Sequence, residues 1–395
     1  MDPSDLASHL RLLSLADVDT EAGNEIIATP IFSASICQYG SSLPDNPYTQ
    51  YGLLGCDTSL VHGNIVVKGK DPRIYHNVSA PSSVFICGSQ GSGKSHTLSC
   101  LLENCLLPSE ANVLPRPLTG IVFHYDTFIS DTAGSPCEAA YLSSHKDIAV
   151  RVLCPPTNVV QIKRIYSSLS NVVVEELRID EADLDTRRML DLMAVSSSQG
   201  GSMPLYLHVV TRILRDLRVV QQSNDSSFNY KGFKQALALT ELTVAQSNPL
   251  QQRLETLESF MVKRQVETAK VAWNKHKAST PSARQGNSWT PKPGQLTIVD
   301  LSCPCVTAES ACALFNICLS LFLEQNTNIG RIVALDEAHK YMTDTAECET
   351  LTKSLLETIR LQRHLGTRVA ISTQEPTISP KLLDLCSVTI SSSAS

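Results

Sequence analysis

The sequence predicts an α/β protein built on a mostly parallel sheet with helices on both faces. Three observations carry that prediction. Short, continuously apolar segments recur between stretches of helical character, and strands that are apolar throughout belong to sheets covered on both faces. The first strong segment runs directly into a loop reading Gly88-Ser89-Gln90-Gly91-Ser92-Gly93-Lys94-Ser95. A later one runs into an acidic pair, Asp336-Glu337. In open parallel sheets such polar endings gather at the carboxyl edge, where ligands bind.

Residues 1–80 read as an N-terminal extension with weak signals: a short amphipathic helix over 6–15, a loop over 41–47 and a strand over 63–68. Residues 81–195 form the first part of the core, with strands expected at 84–87, 121–123 and 148–153. The alternation breaks over 196–294, which reads as a helical insertion with a flexible linker. Within it, 196–202 is a flexible loop and 205–219 a helix. Leu250, Leu254, Leu257 and Met261 fall at helical spacing, predicting a second helix that runs to about Trp273. Residues 278–294 are rich in Pro, Ser and Gly and read as linker. The second part of the core, 295–395, brings strands at 296–299, 332–335, 369–372 and 387–390. The chain stops just past the last of them, so this part is expected to be incomplete at its carboxyl end.

Composition narrows the function classes. With 42% hydrophobic residues over 395 positions the chain can bury a sizeable core, which excludes wholesale disorder. A net charge of −6 excludes an overall basic field, so any nucleic-acid contact needs a local patch. Lys263, Arg264, Lys270, Lys275 and Lys277 are the one basic stretch, and a solvated helix face is the plainer reading of it. The longest apolar run, 311–323, is interrupted by Asn316 and Ser320 and falls short of the roughly 20 residues a bilayer requires. The start lacks a signal pattern. The expectation is an intracellular protein, cytoplasmic or nuclear, with no membrane partner. Thirteen scattered cysteines fit a reducing compartment, and Cys303-Pro304-Cys305 lacks the second pair a zinc site needs. Buried or idle thiols are the expected state.

The glycine-rich loop matches the G-x-x-x-x-G-K-S pattern of a phosphate-binding loop, with a strand before it and a helix after it. Such a loop lets backbone N–H groups wrap a phosphate, and the following helix start adds a favourable field. Gly88, Ser89, Gln90, Gly91, Ser92, Gly93, Lys94, Ser95 and His96 are therefore the candidate nucleotide-binding residues. Lys94 would reach the β- and γ-phosphate oxygens, and the Ser95 hydroxyl would ligate Mg2+. Asp336, closing an apolar strand, is the second metal residue, acting through water. Glu337 is placed to orient or deprotonate the attacking water. Gln374 ends the strand at 369–372, where an amide can sense the γ-phosphate. ATP and Mg2+ are the expected ligands, and ATP hydrolysis the expected reaction.

GSQGSGKS, LTIVDLS at 296–302, LDEAHKYM at 335–342, IRLQRHLGTR at 359–368 and STQEPTISPKLLD at 372–384 follow in this order. This series resembles the HerA/FtsK branch of the additional-strand, catalytic-Glu P-loop ATPases. The resemblance implies a RecA-like core, with Lys94, Ser95, Asp336, Glu337 and Gln374 as the catalytic set. It also implies an arginine turn at Arg363, or less closely Arg360, acting across a subunit interface, and commonly a hexameric ring translocating duplex DNA. DNA is thus an expected partner of a motor, and an ATP-dependent switch or scaffold without translocation is the alternative. The unfinished sheet edge leads us to expect a monomer or small oligomer.

Overall fold

The computed structural model describes residues 28–43, 46–62, 65–67, 69–128, 134–193, 205–224, 227–266, 285–325, 328–343 and 345–392. The readings over 6–15 and 196–202, and Trp273 with Lys270, Lys275 and Lys277, lie outside them. The chain divides into two units, residues 1–81 with 108–115 and residues 82–107 with 116–395. Among the described residues no helix is long and apolar enough to cross a membrane.

The first unit contains β1 (Ile31–Ser33), α1 (Ala34–Ser41), β2 (Tyr51–Cys56), β3 (Val61–His62), β4 (Ile65–Val66) and β5 (Arg73–Asn77). Asn112–Val113, β7 in chain order, completes an antiparallel sheet ordered β1-β5-β2-β7. Phe32, Ala34, Cys37, Tyr48 and Tyr75 form its core. Phe32 and Tyr48 stack with centroids 4.2 Å apart. A Cβ on Gly40 would sit 2.4 Å from the Tyr48 ring, so glycine alone permits that approach. The strand expected over 63–68 shrinks to β4, two residues paired with β3.

The second unit opens with β6 (Ser83–Gly88), α2 (Lys94–Leu106), β8 (Thr119–His124), β9 (Ala149–Cys154), α3 (Val159–Tyr166), β10 (Val172–Glu176) and α4 (Thr186–Leu192). Three helices follow: α5 (Leu205–Asn224), α6 (Tyr230–Ala238) and α7 (Val244–Phe260). Then come β11 (Gln295–Asp300), α8 (Ala308–Glu324), β12 (Arg331–Leu335), α9 (Ala346–Arg360) and α10 (Gln362–Leu365). It closes with β13 (Thr367–Thr373), α11 (Pro380–Leu385) and β14 (Val388–Ser392). Eight strands form one sheet ordered β10-β9-β11-β8-β12-β13-β6-β14, every pair parallel.

Central strands β8, β12 and β13 are buried at every position. Coverage of both faces explains this. Phe85, Ile121, Phe123, Val299, Val333 and Ile371 point into one core with α8 and α9. Gly120, of opposite parity, brings its backbone against Leu106 of α2, where a Cβ would stand 3.2 Å from the leucine methyl. The α/β class with a parallel sheet covered by helices is as the apolar runs predict.

Two expectations about the insertion need correction. The second helix is not continuous: α7 ends at Phe260, residues 263–266 are helical again after the break, and 267–273 lie outside the described residues. At the break the backbone turns to pair with Ile179, whose N–H donates to Phe260 O at 2.8 Å and whose carbonyl accepts from Val262 N at 3.1 Å. The segment 285–290 is not a free linker either. Asp180 Oδ2 accepts from Gln285 N at 2.9 Å and Gly286 N at 3.3 Å, and Trp289 is buried. Tyr206, Val210, Phe233, Leu254 and Leu257 of the insertion join the same core as the sheet.

Asp180 is the clasp of this region. Its Oδ1 also accepts from Ala182 N at 3.0 Å and Gln265 Nε2 at 3.2 Å. Burial works to raise its carboxyl, but these backbone and amide donors hold it below the usual aspartate range. A depressed carboxyl contributes stability above its unfolded pKa and loses it as pH falls through the native one. Asp180→Asn should therefore cost about 1–3 kcal/mol at neutral pH by misplacing an acceptor. The gap between variant and wild type should narrow on acidification, measured by urea unfolding across a pH series.

Candidate nucleotide-binding site

The loop between β6 and α2 takes its shape from glycine. Gly91 and Gly93 adopt φ of +76° and +86°, conformations that cost a side chain energy. At Gly88 a Cβ would stand 2.3 Å from Ser392 O of β14, so the loop leaves the sheet through a gap sized for hydrogen. No side chain caps the start of α2, and its first turn carries no acid. Those N–H groups, with the helix field, can receive an anion. Lys94 is buried and donates from Nζ to Ser89 O at 2.8 Å, which folds its ammonium across the loop. Ser92 Oγ is buried with no hydrogen-bond partner. Ser95 is half-buried in the first turn, and His96 is exposed beside it, 3.7 Å from Cys100 Sγ.

Parallel register carries the acidic pair to the same edge. Cys87 stands opposite Thr373, and Ile371 opposite Leu335, so the ends of β6, β13 and β12 are level. Asp336 follows Leu335 and is buried. Its Oδ2 accepts from His124 Nδ1 at 3.0 Å, at the end of neighbouring β8, and lies 3.7 Å from Cys137 Sγ. Burial would raise the Asp336 carboxyl, yet the hydrogen bond and charge of His124 hold it below the usual range. His124 is correspondingly pushed well above the ordinary imidazole value, burial being outweighed by the Cys137 sulfur and the Asp336 carboxylate.

Glu337 adopts φ +48°, ψ +47°, a left-handed conformation that costs a non-glycine residue about 1–3 kcal/mol. The turn is held from behind. Tyr341 O accepts from both Cys312 Sγ at 3.1 Å and Cys348 Sγ at 3.0 Å, tying the turn to α8 and α9. So held, Glu337 Oε1 accepts from Gln374 Nε2 at 3.3 Å, and Oε2 pairs with Lys340 Nζ at 3.0 Å. Lys340 also reaches Asp126 Oδ1 at 3.4 Å. Burial works against the Lys340 charge, but the bond to Glu337 raises its pKa on balance. His339 accepts the Gln374 N–H at 3.3 Å, and burial lowers its pKa, which keeps the ring neutral.

The structure thus brings Glu337 and Gln374 into contact, with Asp336 and the Lys94 loop at the same edge. Arg363 is elsewhere. It sits in α10, ahead of β13, and the seven residues of that strand put roughly 20 Å between its two ends. Arg360, exposed at the end of α9, lies on that far side too. Sequence reasoning missed Lys340, Asp126 and Cys137. Lys340 alone had a local signal, three residues after Glu337.

The sheet is parallel, the glycine-rich loop follows its first strand, and one strand lies between that strand and the acidic one, the order expected of a RecA-like core. No protein-family profile matches the sequence, and no curated protein matches it. Among solved structures the chain is similar to VirB4 of Thermoanaerobacter pseudethanolicus, at 12% identity and a TM-score of 0.48, over 87% of this chain and 84% of that one.

Proposed function

We propose that the protein binds ATP and hydrolyses it, with Lys94, Ser95, Asp336, Glu337 and Gln374 as the working set. One observation carries this reading: an uncapped, glycine-rich helix start and an acidic pair two strands away meet at a single sheet edge. The loop amides and the first turn of α2, including the His96 N–H, receive the β- and γ-phosphates. Lys94 exchanges its bond to Ser89 O for the phosphate oxygens.

Ser95 and Asp336 fit Mg2+, since both offer hard oxygen donors and Asp336 Oδ1 is a buried acceptor with no hydrogen-bond partner. Bound there, Mg2+ would neutralise charge on the β- and γ-oxygens. Glu337 takes the proton of the attacking water. Gln374 and Lys340 each hold one of its carboxylate oxygens and so fix its direction.

The finer reading is a motor of the HerA/FtsK type on duplex DNA. It rests on the motif resemblance and is favoured by the position of Arg363, which can meet a γ-phosphate only in a neighbouring subunit. The rival, a nucleotide-dependent switch, draws on the net charge of −6. Turnover stimulated by duplex DNA supports the motor; turnover indifferent to DNA supports the switch.

Lys94→Ala should abolish ATP binding in a titration with labelled nucleotide. Glu337→Gln should keep that binding and lose about 10²–10⁴ in turnover, as expected when a general base is removed; a phosphate-release assay checks it. Arg363→Ala should leave the turnover of a monomer unchanged, whereas in a ring it should drop by about 10³ or more. Mass photometry with ATP, run beside the turnover assay, tells the two cases apart.

A further inference from the structure

We propose that His124 Nδ1, Cys137 Sγ and Asp336 Oδ2 form a binding site for a divalent transition metal, with Zn2+ the best chemical match. The three ligating atoms lie within 4.8 Å of one another, and all three residues are buried. A tetrahedral Zn2+ with bonds of about 2.0–2.3 Å sets its ligand atoms roughly 3.3–3.8 Å apart. Here the nitrogen and sulfur lie 3.0 and 3.7 Å from the carboxylate oxygen, and no two of the three ligand atoms are more than 4.8 Å apart, so the ion can be seated by local side-chain shifts.

The donor set selects the metal. Imidazole, thiolate and carboxylate suit Zn2+ and its neighbours, whereas Mg2+ demands an oxygen octahedron. This site is therefore distinct from the Mg2+ role of Asp336, which would use the other face of the carboxylate, Oδ1, buried and without a hydrogen-bond partner. Charge does not oppose it. A thiolate and a carboxylate cancel the two positive charges, leaving a neutral cluster in an interior where an uncompensated charge is costly.

Cys137 is placed by a network rather than left loose. Its N–H donates to Tyr166 Oη at 2.9 Å, and that hydroxyl donates to Asp300 Oδ2 at 2.7 Å. Such outer partners are what orient metal ligands. Burial pushes the Cys137 thiol up to about 11, so the ion must displace its proton. The balance is one divalent ion taken up, the thiol proton and the Nδ1 proton of an imidazolium released to solvent, and the remaining imidazole proton kept on Nε2.

The site does not depend on the ATPase reading, and its test needs no nucleotide. The full chain, stripped with chelator, is titrated with Co2+ at neutral pH. Expected are the visible bands of tetrahedral Co2+ with a thiolate-to-cobalt charge-transfer band, saturating at one equivalent and erased by Zn2+. Cys137→Ser should lose the charge-transfer band, and His124→Gln should weaken binding by roughly 100-fold or more. Zn2+ should raise the Tm of wild type but of neither variant. Far-UV circular dichroism establishes that each variant is folded, and if one is not, the other and the wild-type spectrum decide. A wild-type spectrum without tetrahedral thiolate bands, or bands that survive in both variants, would overturn the proposal and leave a hydrogen-bonded triad.

Discussion

The parallel ladder that joins β6, β13, β12 and β8 fixes where every polar group of the site can stand. Cys87 pairs with Thr373, Ile371 with Leu335, and Leu335 with Phe123. Side chains alternate faces along a strand, so a slip of one residue would turn Phe123, Leu335 or Ile371 out of its core and into the opposite helix layer. Each of these is wholly buried, and burying such a side chain is worth about 1.5–3 kcal/mol. The same slip would carry Asp336 away from His124 and Gln374 away from Glu337. Hydrophobic packing several residues deep in the sheet thus sets polar distances at its rim.

At that rim each charge meets a local partner. Lys94 has a carbonyl, Lys340 sits between Asp126 and Glu337, and Asp336 faces His124. A highly charged ligand entering such a place replaces partners instead of desolvating bare charges. Its affinity is then a difference between two well-satisfied arrangements, which favours reversible exchange over permanent capture.

The strands of the large sheet were legible because burial on both faces writes itself as unbroken apolar runs. Lys94, Ser95, Asp336, Glu337 and Gln374 were legible because each lies at a strand end or helix start with a local pattern. β10 escaped notice: it is an edge strand, partly exposed, and closes on Glu175-Glu176. The tether at 285–290 escaped because backbone N–H groups, which composition does not report, make its bonds to Asp180. The His124, Cys137 and Asp336 cluster had no sequence signal at all, since 199 and 212 residues separate its contacting pairs. Arg363 is the instructive case. A residue that precedes a parallel strand must lie at the edge opposite one that follows it, so its distance from Lys94 was implicit in the order of the motifs.

The helices of the insertion lay their apolar faces into the core that supports the sheet. Phe228, Phe233, Leu250, Leu254 and Leu257 have no separate centre to fold around. The insertion is consequently not a portable module. Excising it would uncover the apolar core it shares with the helices beside the sheet, and transplanting it would expose the side chains that now hold it down. Loosening at α6 or α7 would be felt through that shared packing in the layer that supports β8 and β12.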